Sequence, residues 1–592
     1  MLMKKLLTGN EAIARGAWEA GVTVCTAYPG TPSTEITENA ALYNVIYAEW
    51  SPNEKVALEV GLGAAIGGAR ALVAMKHVGV NVAADPLFTL SYTGINAGLV
   101  LVSADDPGMH SSQNEQDNRH FGKAAKIPIL EPSDSQEAKE FTKIAFELSE
   151  AFDTPVILRI TTRVAHSQSL VDLEPRQEIP LRKYEKNIQK YVMMPGFARP
   201  RHRVVENRLE KLKEYAETFP FNRMELRRPE IGIIASGVVY QYVREVLPDA
   251  STLKLALTYP LPRKLLEEFA SKVERLFVIE ELDPFIEEQL KAWGIEVHGK
   301  DTFPIVGEIL PETIRQKLGP LFNEESPTAK VQDSCVSFPN IPVRPPVMCP
   351  GCPHRGVFYV LQKLKLTVTG DIGCYTLGAQ APLSAIDTTI CMGASIGAAI
   401  GMEKARGKEF ARRLVAVIGD STFIHSGITG LIDAVYNKAT TTIIILDNRT
   451  TAMTGHQDNP VNGRTIKGET TKEVNLPLLC KAAGVNRVVE VDPFDLAKLE
   501  TIVKEELAAE EPSVIISKRQ CALLVKNFDT PCQVITEECI GCLRCMKIGC
   551  PCIIKEGKKV RINATQCVGC NLCAYVCPSG AIRKEGAANG SN

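Results

Sequence analysis

Cysteine spacing near the C-terminus constrains this chain more than any other feature. Ten of the 18 cysteines lie between Cys532 and Cys577. Eight of them form two runs, C-IG-C-LR-C-MKIG-C-P from Cys539 and C-VG-C-NL-C-AYV-C-P from Cys567. The N-terminal MLMKKLLTGN has no apolar stretch typical of a secretory signal. We therefore expect these cysteines to be metal ligands and not a disulfide framework.

The two runs have the spacing of bacterial ferredoxins, in which the fourth cysteine of each run ligates the other run's cluster. One [4Fe–4S] cluster is predicted on Cys539, Cys542, Cys545 and Cys577. A second is predicted on Cys567, Cys570, Cys573 and Cys550. The first run has one extra residue before its last cysteine, so Cys552 is an alternative to Cys550. Two zinc knuckles are the competing explanation, but they require neither the Cys-Pro endings nor the duplicated triple spacing.

Upstream of the runs, short apolar stretches alternate with helix-length patterns, which predicts parallel α/β architecture. The clearest predicted strands are 22–28, 72–75, 99–103, 155–160, 231–235, 276–280, 414–418, 442–446 and 513–517. A buried helix rich in small residues is also expected within 57–75. The predicted fold class is α/β, with several doubly wound parallel-sheet domains and a small C-terminal ferredoxin-like α+β domain with two [4Fe–4S] clusters.

Composition changes along the chain suggest the domain boundaries. Three α/β segments are expected at 1–180, 229–322 and 347–528, and the ferredoxin-like domain at 529–586. Residues 181–228, rich in Arg, Lys and Glu, look like a linker or surface excursion, and 323–346 like a connector. A net charge of −2 gives no argument for nucleic acid or an anionic membrane as partner. No apolar stretch approaches about 18 residues, so we expect no membrane span and a cytoplasmic protein.

Two polar motifs follow predicted strands of the 347–528 segment. One is Gly419-Asp420-Ser421, and the other is Asp447-Asn448-Arg449-Thr450. Open α/β sheets bind ligands at the carboxyl ends of their strands. An Asp and an Asn or carbonyl oxygen placed there can share one Mg²⁺, whose other ligands are diphosphate oxygens and water. The alternative is an ordinary strand-end Asp and a turn Asn.

These strand ends resemble the thiamine diphosphate motif, in which Gly-Asp-Gly is followed by about 25–30 residues and Asn-Asn. Here Ser421 replaces the second Gly, and Asp447 replaces the first Asn. The resemblance implies that the side chains of Asp420 and Asn448 and the carbonyl of Thr450 bind Mg²⁺.

Three segments, T-A-Y-P-G-T-P-S-T-E, M-C-P-G-C-P-H-R-G and G-D-S-T-F-I-H-S-G-I-T-G-L, extend the resemblance over essentially the whole chain. Together they are similar to the alpha subunits of the indolepyruvate:ferredoxin oxidoreductases, a branch of the 2-oxoacid:ferredoxin oxidoreductases. The resemblance implies a pyrimidine-binding domain, a transketolase-C-like domain, a diphosphate-binding domain and a ferredoxin domain, in that order. It also implies aryl 2-oxoacid substrates, coenzyme A as acyl acceptor, ferredoxin as electron acceptor, and a smaller beta subunit in an α2β2 assembly.

Catalytic candidates follow from the same resemblance. Glu54, nine residues before Gly63-Ala64, corresponds to the carboxylate that activates thiamine, and Glu59 is the alternative. Both residues would otherwise be surface charges at a helix start. Thr31, in the turn Tyr28–Ser33, is implied to contact the substrate, unless it or Ser33 caps the next helix. His425 is a candidate for substrate or proton handling, in a loop expected to face the cofactor. His77 and Arg119 are weaker candidates, and a lone His is more often structural.

A third [4Fe–4S] cluster near the thiamine ring is implied on Cys349, Cys352, Cys374 and Cys521. The alternative is that Cys374 and Cys521 are buried small hydrophobic residues and that C-P-G-C-P is a turn. Two other functions stay open at this point. One is a non-redox thiamine decarboxylase or lyase with a structural Fe–S appendage, and the other is an electron-transfer scaffold without its own active site.

Overall fold

Largely parallel β-sheets form the framework of both halves of the chain. The computed structural model describes residues 3–322, here called unit 1, and residues 345–584, here called unit 2. The connector expected at 323–346 lies outside the described residues, apart from its last two positions. None of the described helices combines the length and the apolarity that a membrane span requires.

Unit 1 contains one large and one smaller parallel sheet. Its strands are β1 (Met3–Thr8), β2 (Val24–Ala27), β3 (Tyr47–Trp50), β4 (Ala71–Lys76), β5 (Leu99–Asp105), β6 (Ile129–Leu130), β7 (Val156–Thr161), β8 (Gln168–Leu173), β9 (Arg223–Glu225), β10 (Arg228–Ser236), β11 (Ala250–Leu255), β12 (Leu257–Tyr259) and β13 (Arg275–Ile279). The large sheet has the order β12-β6-β7-β5-β4-β2-β3, and only β12 runs antiparallel to its neighbour. The smaller sheet is β13-β10-β11-β9, with β9 antiparallel, and β1 pairs with β8. Because β12 comes from the 229–322 segment, this segment and the 1–180 segment share one sheet.

The helices of unit 1 are α1 (Gly9–Glu19), α2 (Thr34–Ala41), α3 (Glu54–Gly67), α4 (His77–Val82), α5 (Ala84–Thr93), α6 (Arg119–Ala125), α7 (Ser135–Phe152), α8 (Thr162–His166), α9 (Ile188–Tyr191), α10 (Pro195–Glu217), α11 (Gly237–Val246), α12 (Arg263–Ser271), α13 (Phe285–Ala292) and α14 (Pro311–Leu318). The prediction of a helix within 57–75 is wrong beyond Gly67. Gly68 has φ +104° and ends α3, and the chain then forms β4. At the other end, the Asn53 side chain caps α3 by accepting a hydrogen bond from the backbone of Val56 at 2.9 Å.

The segment 181–228, expected to be a linker or excursion, contains the 23-residue helix α10. Its buried positions, Val205, Arg208, Leu209, Leu212 and Ala216, recur with helical spacing. The Arg208 guanidinium donates to the carbonyls of Ser91, at the end of α5, and Asp153. The helix is therefore a packed part of unit 1.

Unit 2 is built on a five-stranded parallel sheet in the order β14-β15-β16-β18-β17. Its strands are β14 (Thr367–Thr369), β15 (Leu414–Gly419), β16 (Thr442–Asp447), β17 (Arg487–Val491), β18 (Ser513–Lys518), β19 (Cys532–Val534), β20 (Ile553–Glu556), β21 (Lys559–Ile562) and β22 (Ile582–Lys584). Its helices are α15 (His354–Lys363), α16 (Ala394–Arg406), α17 (Lys408–Ala411), α18 (Asp420–Thr422), α19 (Ile428–Tyr436), α20 (Leu476–Ala482), α21 (Leu496–Leu507) and α22 (Leu572–Tyr575).

The cysteine-rich end folds as two antiparallel strand pairs, β19 with β22 and β20 with β21. It shares one hydrophobic cluster with the parallel sheet, in which Phe358 and Val417 belong to the sheet side and Ile548 and Ile553 to the cysteine-rich end. Each such buried side chain contributes about 1.5–3 kcal/mol. The boundary expected at 528 therefore runs through a single packed core.

Candidate functional site

Two buried carboxylates meet where the neighbouring strands β15 and β16 end. Asp420 follows β15 directly, Asp447 is the last residue of β16, and they are 2% and 3% exposed. Burial, together with the charge of Asp447, raises the pKa of Asp420 well above its usual range, and burial also raises the pKa of Asp447. Two buried carboxylates that disfavour ionisation form a pocket that a divalent cation stabilises.

The other predicted Mg²⁺ ligands lie in the loop after β16. Asn448 and Thr450 are both buried, and the Asn448 side-chain oxygen accepts a hydrogen bond from the Thr450 backbone at 3.3 Å. The backbone N–H of Arg449 donates to the Asp420 carboxylate at 3.0 Å, which joins this loop to the end of β15. The structure thus brings Asp420, Asn448 and Thr450 together.

Small residues are required where the chain leaves β15. A Cβ on Gly419 would lie 2.7 Å from Cε1 of Tyr375, so only glycine fits against this ring. The Ser421 hydroxyl, at the position of a glycine in the resembling motif, accepts a hydrogen bond from Thr451 at 3.0 Å. Ser421 therefore contributes to holding the loop after β16.

His425 lies in a helical turn, so the expected loop is wrong. Residues Phe423–Gly427 form one turn of π-helix that continues into α19. The ring is 4% exposed, and its Nδ1 lies 2.9 Å from the Ser426 hydroxyl. Single π-turns are common at functional sites.

The Thr31 turn of unit 1 is linked through Ser111 to Lys76, a residue that no sequence pattern singles out. The hydroxyl of Ser111 donates to the Thr31 carbonyl at 3.1 Å, and Lys76 Nζ donates to the Ser111 carbonyl at 2.5 Å. Burial lowers the pKa of Lys76 to about 8, while the charge of Asp106 acts in the opposite direction. Ser33 stands at the N-cap of α2, but its hydroxyl donates to the Gly30 carbonyl, so no side chain caps this helix.

The two candidate glutamates differ in burial. Glu54 lies in the first turn of α3 and is 5% exposed. A Cβ on Gly79 would lie 2.7 Å from its Oε1, so α4 leaves room for this carboxylate. Glu59 is exposed and forms an ion pair with Lys55 on the same face of α3.

His77 and Arg119, the weaker candidates, occupy buried positions in unit 1. His77 Nε2 lies 3.0 Å from the Asn114 side-chain oxygen. Arg119 forms ion pairs with Asp117 and Glu280, at 2.5 and 2.6 Å. Since Asp117 precedes α6 and Glu280 follows β13, this guanidinium ties the two sheets of unit 1 together, which is a structural role.

The ferredoxin cysteines line two cavities in the crossed arrangement that their spacing predicts. Cys539, Cys542, Cys545 and Cys577 line the first. The second is lined by Cys567, Cys570, Cys573 and Cys550, together with Cys552 and Cys532. Both Cys550 and Cys552 border this cavity, so each remains available as the fourth ligand. Cys532 was not predicted there, and its backbone N–H donates to Cys567 Sγ at 3.4 Å.

The four cysteines of the predicted third cluster lie close enough to affect one another. Burial, followed by the charges of Cys521 and Cys349, raises the pKa of Cys374 to about 11. Burial raises the pKa of Cys352 to about 12, with smaller contributions from Cys374 and Cys349 in the same direction. Residues from three separate segments of unit 2 are thus brought to one place.

The spacing of the sulfur atoms argues against zinc. Four ligands at about 2.3 Å from one Zn²⁺ lie within about 4 Å of one another. Among residues 3–322 and 345–584, the one group with three ligand atoms within 4.8 Å of one another is Asp117, His120 and Asp283, which contains no cysteine. None of the described cysteines forms a disulfide. The wider groups fit polynuclear iron–sulfur clusters.

Comparison with known proteins supports this description. Residues 15–217 match the family model "Pyruvate flavodoxin/ferredoxin oxidoreductase, thiamine diP-bdg", and residues 371–517 match "Thiamine pyrophosphate enzyme, C-terminal TPP binding domain". Residues 560–583 match "4Fe-4S binding domain". These matches confirm the predicted fold class and show that the chain binds thiamine diphosphate and a [4Fe–4S] centre.

Relatives that align with this chain over nearly their whole length establish the family. Indolepyruvate oxidoreductase subunit IorA of Archaeoglobus fulgidus is 42% identical over 98% of this chain and 97% of its own. The protein of the same name from Pyrococcus horikoshii is 43% identical, with the same coverage. Among solved structures, a 2-oxoglutarate:ferredoxin oxidoreductase from Magnetococcus marinus aligns with 17% identity and a TM-score of 0.46, over 54% of this chain and 65% of that one. With its thiamine-binding and iron–sulfur regions and its full-length relatives, the chain belongs to the IorA family of thiamine-diphosphate-dependent 2-oxoacid:ferredoxin oxidoreductases.

Proposed function

We propose that this chain is the catalytic subunit of an enzyme that oxidatively decarboxylates aryl 2-oxoacids such as indolepyruvate and phenylpyruvate. The reaction converts the 2-oxoacid and coenzyme A into an aryl-acetyl-CoA, CO₂ and a proton, and two electrons reduce two ferredoxins. The preference for aryl substrates is supported by the names of the relatives. Those names also specify a subunit, which supports a partner subunit, and we propose that it is a smaller beta subunit in an α2β2 assembly.

One backbone hydrogen bond is the main structural support for this proposal. The backbone N–H of Cys521 donates to the carbonyl of Asn448 at 3.0 Å. A residue of the third cysteine site is therefore bonded to the loop proposed to hold Mg²⁺. Redox chemistry at thiamine requires an electron acceptor nearby, whereas a decarboxylase with an idle appendage would have no need of this contact.

The residues fit the groups they are proposed to bind. When bound, thiamine diphosphate supplies the electron sink for decarboxylation. The side chains of Asp420 and Asn448 and the Thr450 carbonyl would hold Mg²⁺ and through it the diphosphate. The buried Glu54 carboxylate would activate the aminopyrimidine. We propose proton handling for His425, and contact with the substrate for Thr31.

Lys76 is proposed to bind the substrate carboxylate beside Thr31. Replacing it by Gln should raise KM for the 2-oxoacid about 30-fold, which corresponds to roughly 2 kcal/mol for a lost charge-assisted contact. Because burial lowers the lysine pKa to about 8, the ammonium is charged below pH 8 and loses its proton above it. In the wild type KM should therefore rise above pH 8, and steady-state kinetics of Lys76→Gln should lack this rise. A parallel pH dependence in both enzymes would contradict the role.

A third cluster predicts the iron content of the enzyme. Anaerobically purified wild type should contain about twelve irons per chain, as three [4Fe–4S] clusters require. Cys374→Ser and Cys521→Ser should each lower the value to about eight. Cys391→Ser is the matched control, because this cysteine is exposed and lies outside all three groups. Unchanged iron in both site variants would leave the enzyme with two clusters per chain.

A substrate screen tests the function as a whole. The purified complex with its beta subunit should reduce ferredoxin with coenzyme A and either aryl pyruvate, and faster than with pyruvate or 2-oxoglutarate. Release of CO₂ without reduction of ferredoxin would instead indicate the non-redox decarboxylase.

A further inference from the structure

A buried arginine lies between two of the cysteine sites of unit 2. Arg355, in the first turn of α15, is 2% exposed and is among the largest fully buried side chains. It follows Cys352 by three residues in the M-C-P-G-C-P-H-R-G segment. The proposed activity leaves this side chain without a role.

The guanidinium is bound by backbone carbonyls from both sites. Nη2 donates to the carbonyls of Met348 and Cys349, at 2.6 and 3.0 Å, in the loop of the third cysteine site. Nη1 donates to the carbonyls of Ile548 and Gly549, immediately before Cys550. The side chain therefore spans the two loops.

The loops also touch each other directly. A Cβ on Gly351, between Cys349 and Cys352, would lie 2.4 Å from Cγ2 of Val568. Val568 lies between the cluster ligands Cys567 and Cys570. Arg355 and Gly351 both line the cavity formed by Cys550, Cys552, Cys567, Cys570 and Cys573.

The arginine lacks an acidic partner. Within the described ranges, no carboxylate lies within 4.0 Å of its guanidinium, and its buried Nε has no hydrogen-bond acceptor. A buried charge without a counterion is strongly destabilising. An iron–sulfur cluster with four thiolate ligands is anionic, and its sulfur atoms accept hydrogen bonds, so a cluster supplies what this side chain lacks.

We propose that Arg355 is a positioning residue that joins the third cluster to the cluster of Cys567, Cys570 and Cys573, and that its charge raises the reduction potential of both. The proposal rests on the third cluster of the proposed function. Reduction adds one negative charge to a cluster, so a nearby fixed cation stabilises the reduced form. Gly351 and Val568 would hold the two cluster-binding loops against each other, and the bound clusters would supply one-electron redox chemistry on either side of this contact.

Redox titration of the holoenzyme, followed by electron paramagnetic resonance, tests this role. In Arg355→Gln the potentials of the two adjacent clusters should fall, with a roughly tenfold lower ratio of reduced to oxidised cluster at a fixed poise, or about 59 mV. The cluster of Cys539, Cys542, Cys545 and Cys577 should keep its potential, because Arg355 does not line its cavity. Arg355→Lys retains the charge and should keep both potentials close to those of the wild type.

Arg519→Gln is the matched control, since this arginine lies two residues before Cys521 but is 40% exposed and paired with Asp492. It should leave all potentials unchanged, because solvent screens its charge. Unchanged potentials in Arg355→Gln with full iron would overturn the proposal and leave the proposed function intact. Equal shifts in the Gln and Lys variants would also overturn it. If the Gln variant loses iron, full iron in the Lys variant supports the need for the charge, and equal loss of iron in both variants overturns it. A wild type with only about eight irons would instead remove the third cluster and the proposal with it.

Discussion

Asp420→Ala is expected to abolish binding of thiamine diphosphate while leaving the iron content at the wild-type value. Asp420 is proposed to provide a carboxylate ligand to Mg²⁺ at the end of β15. Outer-shell changes alone weaken metal sites by about 10–100-fold, so loss of a direct ligand should exceed this. Retained cofactor and iron are measured on the same preparation. Normal cofactor retention would remove Asp420 from the site.

Two further variants separate loss of metal from loss of fold. Asp433→Ala changes an exposed carboxylate on α19 and should bind the cofactor normally. In Asp420→Asn one of two buried, mutually repelling acids becomes neutral. Because the pKa of Asp420 is raised in the folded state, the cofactor-free protein loses stability as the pH rises above the ordinary aspartate pKa of the unfolded chain, and the loss is absent in acid below that value. The cofactor-free Asn variant should therefore melt at a higher temperature than the cofactor-free wild type at neutral pH, yet gain nothing from Mg²⁺ and thiamine diphosphate.

Local patterns in the sequence predicted the parts of the molecule in which neighbouring residues act together. The spacing of the two cysteine runs predicted that the fourth cysteine of each run lies with the other run. Each run places its first three cysteines within seven residues, so the more distant fourth cysteine is left for the other group. The length of each apolar stretch predicted the length of the parallel strand. The observed ends of β5 and β16 differ from the predicted ends by only one or two residues. The choice of Glu54 over Glu59 depends on the helix register, and the Asn53 cap places Glu54 in the first, buried turn of α3, which favours Glu54.

Contacts between segments that are distant in the chain could not be predicted from the sequence. Helix α10 was not predicted, because Pro195, Pro200 and a run of basic residues obscured the helical spacing of its buried residues. Lys76 has no sequence signal, since its proposed role rests on burial and on its hydrogen bond to Ser111, which is 35 residues away. The carbonyls around Arg355 come from loops separated by almost 200 residues, and a backbone acceptor leaves no trace in the sequence.

Glu54→Gln is expected to leave cofactor binding intact and to slow proton exchange at the thiazolium C2 by about 10²–10⁴-fold, the usual contribution of a general acid–base group. The amide keeps the shape of the side chain but cannot drive the aminopyrimidine tautomer that takes the C2 proton. Exchange is measured by quenching the holoenzyme in heavy water, and overall activity should fall in parallel.

Two controls bracket the role of Glu54. Glu59→Gln removes an equivalent charge from the exposed face of α3 and breaks only its surface pair with Lys55, which is worth at most about 1 kcal/mol. It should exchange at the wild-type rate. Gly79→Ala keeps Glu54 but inserts a methyl group 2.7 Å from its Oε1, so the carboxylate must move and exchange should again slow. Gly196→Ala, on the exposed side of α10 with nothing within 4 Å, should have no effect. If the Glu59 variant is the slow one, the activating acid lies five residues further along α3, and the steric effect at Gly79 should vanish with it.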